Sequence, residues 1–200
     1  MLPVILNTEK KLCVVVGAGK TALRKTKSLL ESGAFVRVIS PRFAKGFEEL
    51  KAEKICAEYE KDLIKGAFLI ITATDDRQLN SQVIADAHDM GILVSSVTAE
   101  NESDFYSCSV ADMGKLKVAV STEKSFPKLS AKICRDIEKE YRIYKDLCPI
   151  LEDYRKRILS ENRDNSGELL DKLISDKAIE IFRNGKEDYT KYIEEILKDI

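Results

Sequence analysis

The chain holds a single histidine, His88. That excludes a metal centre or an acid–base site built on several imidazoles, and His88 itself, inside a helix-like stretch, reads as a surface or packing residue. The five cysteines, at positions 13, 56, 108, 134 and 148, include no Cys-x-x-Cys pair. An odd count, with several members in apolar runs, reads as buried free thiols in a reducing compartment and not as a metal cluster. No apolar run approaches the roughly 20 residues of a transmembrane helix. The apolar start, Met1 to Leu6, is too short for a signal-peptide core, and its basic residues come after it. The expected location is the cytoplasm, without a membrane partner. Neither charge is in excess: 33 basic and 34 acidic residues leave a formal charge of −1, which calls for no nucleic acid. There is no internal repeat. What remains is a 200-residue chain, 44% hydrophobic, long enough for one full domain or one domain with an appendage.

The chain is organised around Leu12-Cys13-Val14-Val15-Val16-Gly17-Ala18-Gly19-Lys20-Thr21-Ala22. A short apolar run ends in Gly-x-Gly-x-x-Ala, and a helix-like segment follows to Leu30. This is the strand, turn and helix of a dinucleotide-binding βαβ unit. Gly17 permits the tight turn, Gly19 lets a pyrophosphate approach the backbone, and Ala22 is small enough for close helix–strand packing. The helix N-terminus then offers free N–H groups and the positive end of its dipole. Alone the motif is weak, because such turns also occur where nothing binds. Its context strengthens it: Gly33-Ala34 leads into a second β-branched run, Phe35 to Ile39.

Next comes Ser40-Pro41-Arg42. An Asp or Glu that would bind ribose hydroxyls is missing at the end of this second strand. Arg42 suits either a 2′-phosphate or an ordinary surface loop. Residues 43–54 read as a helix with Phe47 and Leu50 inward, and Ile55–Tyr59 as a short third strand. Ala67 to Ile71 is a continuous apolar run, as expected of a strand buried on both faces of a parallel sheet. It ends in Thr72-Ala73-Thr74-Asp75-Asp76. Ligands in such sheets bind beyond the carboxyl ends of the strands, which sets Thr74 and Asp75 near Gly17–Thr21; Asp75 or Asp76 also suits the cap of a helix over 77–90. Gly91 ends that helix, and Ile92–Val97 is the fifth strand. Alternating strands and helices imply an α/β, Rossmann-type parallel sheet.

After Thr98 the pattern changes. Phe105–Ala111 and Leu116–Ser121 read as two strands joined by turn chemistry at Asp112 to Lys115. A helix follows from Pro127 to Tyr144, capped by Ser125, with Leu129, Ile133, Ile137 and Tyr141 on one face. Cys148-Pro149 breaks it. Further helices cover Ile150–Leu159, Leu169–Phe182 and Tyr189–Ile200, so the C-terminal third reads as α-helical. The charge there reads as solvated helix faces.

Several of these segments together resemble the precorrin-2 dehydrogenase, or N-terminal siroheme synthase, family. They are Leu2 to Leu6; Val15 to Lys25, including Arg24-Lys25; Leu29 to Ala34; Ile71 to Asp76 with Asn80; Asp104-Phe105; and Val118 to Thr122 with Pro127 beyond. Together they are specific and span most of the first 140 residues. The resemblance implies NAD⁺-dependent oxidation of precorrin-2 to sirohydrochlorin, in tetrapyrrole biosynthesis. Some members also insert Fe²⁺. It implies a homodimer, with the segment after the nucleotide domain building the interface. The expected organisation is a nucleotide domain over 1–112, a β dimerisation segment over 113–147 and a helical domain over 148–200. By motif, Gly17, Ala18, Gly19, Lys20 and Thr21 fall in the phosphate turn, Pro41 and Arg42 at a second cofactor contact, and Thr74 and Asp75 beside the cofactor. Thr122 and Lys124 fall at the substrate. Lys115, Lys117 and Lys128 are further candidates for a substrate rich in carboxylates, although any one of them reads more simply as surface.

One departure bears on the chemistry. The family's catalytic Asp falls on Thr98, and its Asn on Ser95. An alcohol is too weakly acidic to serve as a base near neutral pH without an activating partner. Glu100 or Asp104 supplies the carboxylate, or the reaction needs little base because hydride transfer rests on proximity and orientation, or the chain binds without catalysing. The last is the alternative: a non-catalytic nucleotide- or tetrapyrrole-binding regulatory module. The loop Glu123 to Phe126 also differs, having bulky and charged residues where the family has small ones.

Overall fold

The structure is a computed structural model that describes residues 2–98, 100–122, 126–161 and 165–198. The chain divides into two compact units, Met1–Ser107 and Cys108–Ile200. The division falls before residue 112 because Ser109–Met113 pairs with the strand that follows it and not with the parallel sheet.

The first unit contains β1 (Leu12–Val16), α1 (Lys20–Glu31), β2 (Phe35–Ile39), β3 (Glu53–Ile55), β4 (Leu69–Thr72), α2 (Arg77–Asp89) and β5 (Leu93–Ser96). The strands form one parallel sheet in the order β3-β2-β1-β4-β5. That order is the Rossmann arrangement, with the chain reversing direction across the sheet between β1 and β4. The two sides of β1 feed two cores. Cys13 and Val15 pack with α1, Val36, Val38 and Ile71; Val14 and Val16 pack with Ile70, Val83, Ile84 and Val94. A strand buried on both faces has no polar side to display, hence the unbroken apolar runs.

Residues 43–54 do not form the expected helix. Gly46 takes a φ of +103°, outside helical space, and the segment closes in turns. Phe43 and Phe47 meet edge to face at 5.5 Å and anchor it to the core. The Lys54 ammonium donates to the carbonyls of Phe47 at 2.8 Å and Leu50 at 3.1 Å, satisfying oxygens that a helix would have paired. Phe47 does point inward, at 1% exposure. The third strand lies at Glu53–Ile55, earlier than Ile55–Tyr59, because it is Arg37–Ile39 that it pairs with; Arg37 donates to Glu53 across that pair at 2.8 Å.

The second unit begins with an antiparallel hairpin, β6 (Ser109–Met113) and β7 (Leu116–Val120), joined by Gly114-Lys115. Then come α3 (Pro127–Glu140), α4 (Tyr144–Ser160), α5 (Ser166–Leu173), α6 (Asp176–Asn184) and α7 (Lys186–Lys198). The expected strand from Phe105 starts only at Ser109. Ser125, the expected cap of α3, lies outside the described residues; Pro127 opens the helix, and the Phe126 N–H donates to Thr122 Oγ1 at 3.2 Å. The face of α3 differs too. Ser130, Cys134 and Ile137 turn inward, the latter two against Ala111 and Met113, while Leu129 and Tyr141 are exposed. Small side chains at that seam allow close approach to the hairpin.

Pro149 does not break a helix: α4 runs through it. An interior proline costs about 3 kcal/mol, but this one sits near the N-terminal end, and the same helix buries Leu147 and Ile158 completely. Conversely, Leu169–Phe182 is not one helix. Ser175 is extended, its hydroxyl donating to Lys172 O at 3.0 Å and accepting from Ala178 N at 3.3 Å, which ends α5 and caps α6. The helices close on Leu147, Ile158, Leu169, Leu173, Tyr189 and Ile193. Among the described residues no helix is long and apolar enough to cross a membrane.

Candidate functional site

At the carboxyl ends of β1, β2 and β4 the first unit opens into a cleft of about 580 Å³. Gly17, Ala18, Gly19, Lys20, Thr21, Pro41, Arg42, Thr74 and Asp75 all line it, so every residue assigned by motif to a cofactor is brought to one place. Parallel strand ends collect the loops of several βα units on one edge, and the direction reversal beside β1 keeps that edge open.

The turn is held by backbone bonds. Gly17 N donates to Ile39 O and Ala73 N to Val16 O, both at 2.8 Å, and Ala44 N donates to Ala18 O at 3.0 Å. Gly17 has a φ of +103°, and a Cβ there would stand 2.5 Å from Ala73 O. Only glycine fits. Gly19 differs: a Cβ on it would meet nothing within 4 Å. Its bareness keeps space clear in the cleft and serves no internal packing.

α1 begins at this turn with no side-chain cap and no acidic residue in its first turn. Its first helical bond is Leu23 N to Gly19 O at 2.9 Å. The N–H groups of Lys20, Thr21 and Ala22 precede that bond and suit an anion, as does the dipole end they form. An open approach at Gly19, uncapped N–H groups and sufficient volume together fit the pyrophosphate of a dinucleotide. Farther along α1, the Lys25 ammonium is held below its usual value by burial and by neighbouring Arg24.

Across the cleft, Asp76 caps α2, accepting from Gln78 N at 2.9 Å and Leu79 N at 3.1 Å. Both carboxylates of the segment are exposed, and Asp76 is the one engaged in the cap. Thr74 belongs to a clasp centred on Asn80, a fully buried residue of α2. The Asn80 amide donates to Thr74 O at 2.9 Å and to Thr98 Oγ1 at 2.7 Å, and the Thr74 hydroxyl donates to Asn80 Oδ1 at 2.8 Å. The clasp joins the segment after β4 to the segment after β5. The sequence marks Asn80 only as part of a family pattern; the signal for its role is a polar residue on the apolar face of a helix, one turn from Val83 and Ile84.

Thr98 therefore stands at the end of β5, its hydroxyl accepting from Asn80 and its N–H donating to Ser96 Oγ at 3.3 Å. Asp104 lies apart from the cleft lining. Its Oδ2 accepts from Val94 N at 2.9 Å, its N–H donates to Val94 O at 2.8 Å, and its Oδ1 lies 3.3 Å from His88 Nε2. Both carboxylate oxygens are thus committed to clamping the chain alongside β5, and His88 packs with it there. Glu100 starts a short 3-10 turn, Glu100–Glu102, and its side chain lies outside the described residues. Lys124 does too. Thr122 belongs to the second unit, where Lys115 pairs with Glu152 at 3.0 Å and Lys117 with Asp112 at 2.7 Å. Among the described residues no group of three or more His, Cys, Asp or Glu side chains could hold a metal ion.

Residues 4–109 match the family described as NAD(P)-binding. The chain is 35% identical over 140 residues to a siroheme synthase of Chromobacterium violaceum, covering 68% of this chain and 30% of that protein. It is 31% identical over 193 residues to a siroheme synthase of Thioalkalivibrio sulfidiphilus, covering 93% of this chain and 40% of that one. The chain thus spans between about a third and two fifths of these relatives. A solved structure titled SirC, precorrin-2 dehydrogenase, superimposes with a TM-score of 0.82 over 99% of this chain and 100% of that one, at 23% identity, which shows the shared fold. The match over 4–109, the relatives and the motifs agree, and the chain belongs to the NAD(P)-binding family, in the precorrin-2 dehydrogenase and siroheme synthase N-terminal branch.

Proposed function

We propose that the chain is an NAD-dependent dehydrogenase that oxidises precorrin-2 to sirohydrochlorin in siroheme biosynthesis, acting as a cytoplasmic homodimer. The observation that carries the reading is the cleft at the head of β1, where an uncapped helix end meets a glycine with open space above it. In this reading the N–H groups of Lys20 and Thr21 hold the pyrophosphate, with the Lys20 ammonium adding charge. Thr74 and Asp75, set by the Asn80 clasp, border the nicotinamide half. When bound, the nicotinamide would accept a hydride from the macrocycle.

The chain's own contribution is then chiefly orientation. A held, aligned pair of reactants recovers much of a barrier without an acid or base. Thr98, with its hydroxyl bonded to Asn80, positions the β5 loop and does not take a proton near neutral pH. Asp104 is occupied in its clamp. Of the two other carboxylates in that loop, Glu100 and Glu102, Glu100 is the candidate proton acceptor. Thr122 and Lys124 meet the substrate's carboxylates.

Anaerobic incubation of the protein with precorrin-2 and NAD⁺, followed by NADH formation and sirohydrochlorin absorption, tests the proposal. Turnover that falls in Glu100→Gln and persists in Thr98→Val is the expected result. A second reading rests on Thr98 standing where the family has Asp: a module that binds nucleotide or tetrapyrrole and regulates. NAD⁺ binding without any turnover selects that reading and overturns the first.

A further inference from the structure

The end of β2 carries no acid, yet the segment that follows the neighbouring strand brings one to the cleft. β3 lies beside β2 and parallel to it, with Ile39 opposite Ile55, so the segments after the two strands rise together at one edge. Ser40 N donates to Ile55 O at 3.1 Å, and the Cys56 thiol donates to Pro41 O at 3.4 Å. These contacts hold the segment that begins at Cys56 against Ser40-Pro41-Arg42. Glu58 comes two residues later. It lines the cleft, and it also lines a small adjoining recess of about 30 Å³ with Ser40, Pro41, Tyr59 and Leu79.

The other polar groups of that corner are committed. The Ser40 hydroxyl donates to Arg42 O at 2.7 Å. The Tyr59 hydroxyl donates to Asp86 at 3.0 Å, and burial together with that carboxylate keeps it a phenol. Glu58 has no ion pair among the described residues, and Arg42 borders the open cleft but not the recess.

Resting on the reading of the cleft as a dinucleotide site, we infer that Glu58, from the segment after the strand next to the usual one, receives the hydroxyls of the adenosine ribose and sets the preference for a cofactor without a 2′-phosphate. A carboxylate is an acceptor with two oxygens and matches the paired donors of a vicinal diol. A phosphate on the 2′ oxygen removes one donor and brings a like charge against Glu58. Arg42, flanking the open side, opposes this preference in part, so the balance between the two residues decides the cofactor.

The test is calorimetric titration of the full chain with NAD⁺ and with NADP⁺, in the native protein, Glu58→Gln and Arg42→Gln. Glu58 is exposed, so the variants fold, and thermal melting verifies it. The native protein is expected to bind NAD⁺ more tightly than NADP⁺, with Glu58→Gln reducing that ratio about tenfold and Arg42→Gln increasing it. An unchanged ratio in Glu58→Gln, or a native preference for NADP⁺, overturns the inference and leaves the dinucleotide reading standing. Binding of neither nucleotide by the native protein overturns both.

Discussion

In the first unit, the residues that fill the core and those that form the site are almost disjoint. Val14, Val15, Ile70 and Val94 are buried in the sheet, while the cleft is formed by backbone at Gly17 and Gly19, an uncapped helix end and loop side chains. In the second unit, side chains do the work of the architecture. Tyr189, Ile193, Leu169 and Leu173 close the helices on one another, and a serine at 175 decides where one helix ends and the next begins. A parallel sheet tolerates exchange among β-branched residues but depends on its turn backbone, whereas a helical cluster tolerates its turns and depends on which side chains meet.

Substitutions can break that comparison. The largest effect belongs to Gly17→Ala, which sets a Cβ 2.5 Å from a carbonyl oxygen at a φ of +103°. It is expected to cost about 3 kcal/mol or more in denaturant unfolding and to abolish nucleotide binding. In the second unit, Ile193→Ala should cost about 3 kcal/mol without changing nucleotide affinity, since Ile193 is fully buried in the helical cluster. A loss of affinity in that variant would blur the distinction between the units. Tyr189→Phe removes the hydroxyl that donates to Leu173 O at 3.0 Å and should cost about 1 kcal/mol. Gly19→Ala is the counterpart of Gly17→Ala: stability should stay within about 0.5 kcal/mol, but nucleotide binding should weaken, because the methyl group enters cleft space alone. If Gly19→Ala binds normally, the glycine turn is only structural.

A pH measurement sharpens the same contrast. Burial pushes the Cys13 thiol in β1 up from 9.0 to about 11. Below 9.0 the folded and unfolded thiols are both neutral, so this contribution is whole. As pH rises from 9.0 through about 11, the unfolded thiol ionises first and the contribution is lost. Cys13→Ala should therefore lose less stability across that window than the native protein. Mass-spectrometric labelling below it should modify the exposed Cys56 and Cys108 well before Cys13 or Cys134.

Much of the first unit was legible because its signals are local. The apolar runs of β1 and β4, the Gly-x-Gly-x-x-Ala turn, and Gly91 after α2 each announce an element within a few residues. The failures mark where distant contacts outrank local preference. Lys54 and two phenylalanines hold 43–54 out of a helix, the hairpin selects the Ser130–Cys134 face of α3, and burial of Leu147 and Ile158 carries α4 through Pro149. Asp104 looked available for chemistry because nothing in its sequence neighbourhood reveals that Val94 and His88 would occupy it.

Periodicity and glycine chemistry act over a few positions, and they suffice for the alternation of strands and helices, the Gly-x-Gly-x-x-Ala turn and the residues gathered around it. Tertiary contacts are needed for Asn80 to tie Thr74 to Thr98, for Asp104 to act as a clamp, and for Glu58 to line the cleft beside Ser40 and Pro41. Those pairings join residues 6 to 18 positions apart, or adjacent strands of a sheet, and hydrogen bonds of that kind are set by register and burial that no local pattern encodes.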